Sequence, residues 1–156
     1  MRKHRAEKRK VEPDPQYSSL LIAKLINALM LRGKKVAAEK IVYGALDTLK
    51  ERTHEDNVIR VFNKAIDNVR PRVELKPRRV GGATYQIPIE VQIPRGNSLA
   101  IRWVRDFARK KKGKSMMLKL ADELMAAYKG EGPAIKKRDE THKMAEANKA
   151  FAHLRW

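Results

Sequence analysis

The sequence predicts a mainly α protein: a six-helix domain with a protruding two-stranded antiparallel β-ribbon between helices three and four. Three observations predict it. Apolar residues recur three and four apart through most of the chain, which is one face of a helix. Between about 72 and 93 the period changes to two, the alternation of a strand. Gly81-Gly82 divides that stretch, and paired glycines supply the positive φ angles of a tight hairpin turn.

The elements follow in chain order. Residues 1–16 read as a flexible basic arm, because Arg2, Lys3, Arg5, Lys8, Arg9 and Lys10 come with no apolar periodicity that could bury a face. Residues 17–156 read as a single helical domain. Ser18 and Ser19 offer a cap to a first helix with Leu21, Ile22, Leu25, Ile26, Leu29 and Met30 on one stripe, ending at Gly33. After Lys34-Lys35, the second stripe is Ala38, Val42, Ala45, Leu46 and Leu49. Asn57 is placed to cap a third helix with Val58, Val61, Phe62, Ala65, Ile66 and Val69 inward, and Pro71 ends it. Ile87, Ile89, Val91 and Ile93 then alternate with Gln86, Pro88, Glu90 and Gln92, and Arg72 to Val80 is the weaker partner strand. Pro88 has no N–H for a ladder on its second side, which predicts an isolated ribbon rather than a larger sheet. Three further helices are expected at Leu99 to Lys112, at Met116 to Lys129 behind Ser115, and at about Ala134 to Ala152 after Gly132-Pro133. The last should pack by one edge only, since Ile135, Met144, Ala147 and Phe151 are sparse among Lys136, Lys137, Arg138 and Lys143.

Charge narrows the function. Lys and Arg number 36 against 18 Asp and Glu, a formal +18 on 156 residues, and a compact body with that surplus repels itself unless a polyanion neutralises it. The chain still has 42% hydrophobic residues, enough for a core and unlike a disordered basic tail. No cysteine is present, so a disulfide framework or zinc-thiolate site is excluded and a reducing, cytoplasmic setting fits. Val11-Glu12-Pro13-Asp14-Pro15 stands where a secretory signal would need its apolar core, so no export is expected. Leu20 to Leu31 is broken by Lys24 and Asn27 and is too short for a bilayer, so no membrane span is expected either.

Catalytic and metal motifs are weak. Gly113-Lys114-Ser115 imitates a phosphate loop, but Ala108 stands where the first glycine belongs and a helix, not a strand, precedes it; a helix break with a cap is the better reading. His4, His54, His142 and His153 are scattered and complete no ligand set, so no metal is expected. Asp139 and Glu140 have Lys or Arg within one turn, the pattern of a solvated charged face rather than an acid/base pair. No enzyme activity, cofactor or small-molecule substrate is expected.

The basic clusters are a stronger signal because they recur on distinct elements. On the fourth helix Arg102, Arg105, Arg109 and Lys112 fall within an arc of roughly 80°, opposite Ala100, Ile101, Val104, Phe107 and Ala108. To these are added Arg32, Lys34 and Lys35 at the first corner, Arg72, Lys76, Arg78, Arg79 and Arg95 around the ribbon, and Lys110, Lys111, Lys112 and Lys114 in a loop. Phosphate contacts are sequence-blind, so selectivity must come from shape, as in a folded RNA whose splayed bases stack on aromatics such as Tyr85 or Trp103. Ordinary packing is the competing reading for both aromatics, more so for Trp103. An architectural DNA-binding protein using a basic ribbon is the alternative function. An RNA-processing enzyme is a third, and it lacks a visible site.

One stretch is more specific than any of these patterns. Arg78-Arg79-Val80-Gly81-Gly82-Ala83-Thr84-Tyr85-Gln86-Ile87-Pro88 resembles the hairpin signature of the small-subunit ribosomal protein seven family, bacterial type. Pro13-Asp14-Pro15 with Tyr17, Ile26-Asn27 with Met30, Gly33-Lys34-Lys35, Arg102-Trp103 and Lys136-Lys137-Arg138 are similar to the same family, as is Met144 to His153 with Arg155-Trp156. The resemblance implies six helices with a protruding ribbon, binding to the 3′ major domain of 16S rRNA, and nucleation of head assembly. It also implies a place near the exit site, with tRNA, mRNA and small-subunit ribosomal proteins nine and eleven as partners. Carried over by position, the basic arm, Lys34, Lys35, the ribbon and the fourth helix face rRNA. Arg79, Gly81, Gly82, Ala83, Lys136, Lys137, Lys143, Arg155 and Trp156 fall at the exit site.

Overall fold

A computed structural model describes residues 10–154. Its elements, in order, are α1 (Leu20–Leu29), α2 (Lys35–Thr53), α3 (Val58–Val69), β1 (Val73–Val80), β2 (Ala83–Glu90), α4 (Ile93–Lys110), α5 (Met116–Lys129), α6 (Pro133–Ala147) and a short 3-10 helix (Lys149–Leu154). This is the expected architecture of six helices with a two-stranded antiparallel sheet between α3 and α4.

Local chemistry starts α1 and α3 where the sequence placed them. The Ser19 hydroxyl accepts the Ile22 N–H at 3.5 Å, and the Asn57 side chain accepts the Arg60 N–H at 3.1 Å, each satisfying an amide that the first helical turn leaves unpaired. α2 and α5 end in left-handed residues, His54 at φ +53° and Gly130 at φ +80°. The apolar stripes of α2 and α3 are buried at every named position, as are Ile22, Leu25, Ile26 and Leu29 of α1, while Leu21 and Met30 are half-buried at the rim. α5 lies at the centre, packed on α2, α3 and α4. Its approach to α2 needs Gly44, because a Cβ there would sit 2.2 Å from the Met117 sulfur.

Several boundaries differ from the sequence expectation. α1 stops at Leu29 instead of running to Gly33: Met30 is extended at ψ 136°, and Arg32 and Gly33 both take positive φ in the loop. β2 stops at Glu90 and α4 begins at Ile93, six residues before Leu99. Pro94 explains this, since a first helical turn needs no N–H and favours proline's φ, and the Gln92 carbonyl accepts the Arg95 and Gly96 amides at 3.0 and 2.9 Å. Ile93, counted as the last strand residue, is 63% exposed at the start of that helix. α4 ends at Lys110 rather than Lys112, with Lys111 already extended.

The end of the chain is also shorter in α-helix than expected. α6 stops at Ala147 rather than Ala152, because the Asn148 side-chain Nδ2 donates back to the Met144 carbonyl at 2.7 Å and the chain tightens into the 3-10 helix. Its inward edge is Ala134, Ile135, Thr141 and Ala145; Met144 and Ala147 face outward. The apolar residues were too few to fix the helix phase.

The ribbon register pairs Val73 with Glu90, Leu75 with Pro88, Arg78 with Tyr85 and Val80 with Ala83. Gly81 and Gly82 take φ of +57° and +88°, the two left-handed positions of a two-residue hairpin turn. β1 leans on α6, the 3-10 helix lies on β2, and Ile87 of β2 is fully buried. The outer half, from Lys76 to Thr84, is exposed and projects from the helices.

Candidate nucleic-acid interface

Three regions carry most of the described cations that the sequence assigns to rRNA. The first is the corner between α1 and α2, where Arg32, Lys34 and Lys35 are exposed on a turn closed by the Lys34 N–H donating to the Leu31 carbonyl at 3.0 Å. Lys35 has only a loose i,i+4 partner, Glu39, at 3.7 Å, and remains 62% exposed; such a surface pair contributes about 0.3–0.5 kcal/mol. Among the described residues, Arg32 and Lys34 form no ion pair.

The second is α4 and the loop after it. Arg102 points outward and is unpaired among the described residues. Arg105 and Arg109 have an additional structural role: their guanidiniums donate to the Ala28 and Leu29 carbonyls at 3.4 and 3.1 Å. They satisfy the C-terminal end of α1, where the helix dipole favours a cation, and thereby bring the cationic side of α4 against the α1–α2 corner. Arg105 also pairs with its neighbour Asp106 at 2.7 Å.

In the loop, Lys110 and Lys112 are exposed, with Lys110 above the Phe107 ring at 5.2 Å. Lys111 and Lys114 are both paired with carboxylates, Lys111 with a buried one and Lys114, itself 55% exposed, with a partly buried one. The Lys111 ammonium stands 2.8 Å from Glu123, whose side chain is 0% exposed; the approach is off-axis, so it is an ion pair rather than a directed hydrogen bond. The other Glu123 oxygen accepts the Ala134 N–H at 3.4 Å, so this carboxylate ties together the ends of α4 and α6. Lys114 and Arg52 converge on Asp122 at 2.8 and 2.6 Å, and their hydrogen bonds, Lys114 first, lower the pKa of that carboxyl.

The third region is the ribbon. Lys76 and Arg95 share Glu74 at 3.7 and 3.3 Å. Arg78 stands opposite Tyr85, and Arg79 is exposed opposite Thr84 beside the tip residues Gly81, Gly82 and Ala83. Arg72 is exposed at the base, where its backbone N–H donates to the His142 ring at 3.0 Å. That ring nitrogen must be unprotonated to accept, and burial first, then the charge of Arg138, lowers the His142 pKa. Tyr85, singled out as a base-stacking candidate, already has a ring partner in Phe151, with centroids 5.0 Å apart and planes at 47°. Trp103 is half-buried against the core.

Of the exit-site set, Lys136 and Lys143 are exposed on α6, and Lys137 reaches Glu140 at 3.8 Å. Arg2, Lys3, Arg5, Lys8, Arg9, Arg155 and Trp156 lie outside the described residues; Lys10 is the first residue inside them and is exposed. Among the described residues no group of acids and histidines is spaced to hold a metal ion, and no helix is long and apolar enough to cross a membrane.

Sequence reasoning did not find the buried polar residues that set up these surfaces. Asp14 is 2% exposed and accepts the Gln16 and Tyr17 amides and, at 2.7 Å, the Tyr43 hydroxyl. Burial first, and then this bond, pushes the Tyr43 pKa up to about 12. Asn68 donates to the Ala127 and Tyr128 carbonyls at 2.9 and 3.1 Å, and Arg138 donates to the Asn68 carbonyl. The Asp14-Pro15 step and its turn were the only local signal; the others depend on neighbours distant in sequence.

A small helical body with cations on a corner, a helix and an exposed ribbon defines a class of protein that lies along a folded polyanion. Comparison with known proteins makes the class specific. The family model described as "Ribosomal protein S7p/S5e" matches residues 1–149. The chain is 60% identical to "Small ribosomal subunit protein uS7" of Thermotoga neapolitana and 58% identical to that of Thermotoga maritima, over 156 residues and the full length of each chain. It is 55% identical to the same-named protein of Francisella tularensis subsp. holarctica over 155 residues, 99% of each. The chain belongs to the ribosomal protein S7 family: it is a structural, non-enzymatic component of the small ribosomal subunit.

Proposed function

We propose that this protein binds the 3′ major domain of 16S rRNA directly and nucleates assembly of the subunit head. In this reading its ribbon tip and C-terminal elements reach the exit site, where they meet tRNA and mRNA beside small-subunit ribosomal proteins nine and eleven. The observation that carries the reading is the set of exposed cations on three separate elements that pair with no carboxylate among the described residues: Arg32 and Lys34, then Arg102, Lys110 and Lys112, then Arg79. Glu123 and Asp122 pair with Lys111 and Lys114 but leave this set without a carboxylate, ready to displace counterions from phosphates. The basic arm adds Arg2, Lys3, Arg5, Lys8, Arg9 and Lys10 to the cations in sequence.

Titration of a head-domain rRNA fragment tests this. If about 6–10 phosphates are contacted, affinity falls by about 10³–10⁵ between 50 and 200 mM salt, and a flat response rejects the reading. Duplex DNA should compete worse by orders of magnitude; equal competition would favour a DNA-bending role for the ribbon. For the exit-site part, subunits reconstituted with Arg79→Ala should lose affinity for deacylated tRNA at that site, and unchanged occupancy would remove the ribbon tip from it.

A further inference from the structure

The α1–α2 corner is not only cationic. Leu31 and Val36, two of the most exposed large apolar side chains among the described residues at 62% and 65%, stand on either side of the Arg32-Gly33-Lys34-Lys35 turn. Neither belongs to the core stripes: Leu31 lies beyond the end of α1, and Val36 is the second residue of α2 on the side away from Ala38 and Val42. A shallow groove of about 510 Å³ runs beside Val36, lined by Gly33, Lys34, Lys35, Ala37 and Lys40. Phosphate binding needs no such residues, and exposed Leu and Val at a charged turn raise the cost of solvation without stabilising the fold.

We propose that Leu31 and Val36 form an apolar wedge that packs on the faces of unstacked rRNA bases, while Arg32, Lys34, Lys35 and Lys40 hold the phosphates on either side. The inference rests on the rRNA-binding reading above and deepens it by giving this corner a contact with bases. Charge complementarity selects the occupant. Four cations interleaved with two exposed apolar side chains suit a nucleotide strand, whose phosphates lie outside its base faces, whereas a hydrophobic protein face would leave most of those cations unpaired. The turn geometry holds the arrangement: Arg32 and Gly33 in the left-handed region at φ +51° and +74° reverse the chain, and the Lys34-to-Leu31 hydrogen bond closes it. The wedge thus supplies shape-dependent affinity that counterion release cannot supply.

The salt dependence of binding separates the two kinds of contact. The full chain carrying Leu31→Ser and Val36→Ser is titrated with the head-domain rRNA fragment from 50 to 200 mM salt, beside Lys34→Ala with Lys35→Ala and the conservative Leu31→Met with Val36→Ile. The serine pair should weaken binding about tenfold or more with the slope of log affinity against log salt unchanged, because no counterion contact is removed. The alanine pair should lower the magnitude of that slope by about one to two. The conservative pair should bind like the parent, and circular dichroism should be equal throughout since both apolar side chains are exposed. Unchanged affinity of the serine pair, or an equal loss against duplex RNA lacking unpaired bases, overturns the wedge. If the alanine pair also changes neither affinity nor slope, the rRNA reading of this corner fails with it.

Discussion

Replacing Lys111 with Met would leave the Glu123 carboxylate buried at 0% exposure without its cation. Removing one partner of a buried pair costs about 3–5 kcal/mol, because the remaining charge has neither water nor a counter-ion. Lys111 itself is 32% exposed, so solvent already screens part of the attraction and the lower end, about 3 kcal/mol, is the better figure. For a chain of this size 1 kcal/mol shifts Tm by about 2–4 °C, so Lys111→Met should lower it by about 6–12 °C in thermal circular dichroism at 222 nm. Glu123→Gln should cost less, about 1 kcal/mol, since Lys111 can turn to water and the amide oxygen still accepts the Ala134 N–H. The double variant should be more stable than the sum of the two losses predicts. Lys111→Met with an unchanged Tm, but a salt slope for rRNA binding lowered by about one, would refute this reasoning and place the ammonium on a phosphate.

Tyr85 and Phe151 should show a coupling of about 0.5–1.5 kcal/mol in a double-alanine cycle, read from the ribbon's amide-exchange protection; additive losses would mean that their rings do not support each other. His142 should titrate below 6.5 in NMR. Its folded pKa lies below its unfolded one, so its contribution to stability is complete above about pH 6.5 and lost as pH falls through the folded value, with the Arg72 amide losing protection in step. A His142 pKa at or above 6.5 would contradict the observed bond. Gly82→Ala should cost the hairpin about 1 kcal/mol because φ is +88°, while Gly81→Asn at φ +57° should be tolerated; equal ribbon protection in both variants would show that the turn does not need the glycine.

What was legible in the sequence was whatever local spacing encodes. The stripes of α2 and α3 were readable residue by residue because a helix with one buried face must repeat its apolar positions, and the caps Ser19 and Asn57 act within three residues of themselves. The hairpin was readable because two adjacent left-handed residues favour a Gly-Gly pair. The start of α4 is hidden because Val91 and Ile93 continue the strand's alternation by coincidence and mask the helix-start signal of Pro94. The cation count was legible, but its allocation was not. Glu123 lies 12 residues after Lys111 and Asp122 lies 70 after Arg52, so only packing reveals which lysines face inward charge. Tyr85 shows the same limit, since its ring partner Phe151 lies beyond three intervening helices.

The ribbon has one further consequence. Two strands alone leave two open edges, and an open edge is a template on which another copy's strand can polymerise. Here Pro77 on one strand and Pro88 on the other remove N–H groups, and Lys76, Arg78 and Arg79 crowd like charges along the projecting half. A newly made chain awaiting its subunit therefore carries its own protection against sheet-to-sheet aggregation, built from the residues that give the ribbon its charge.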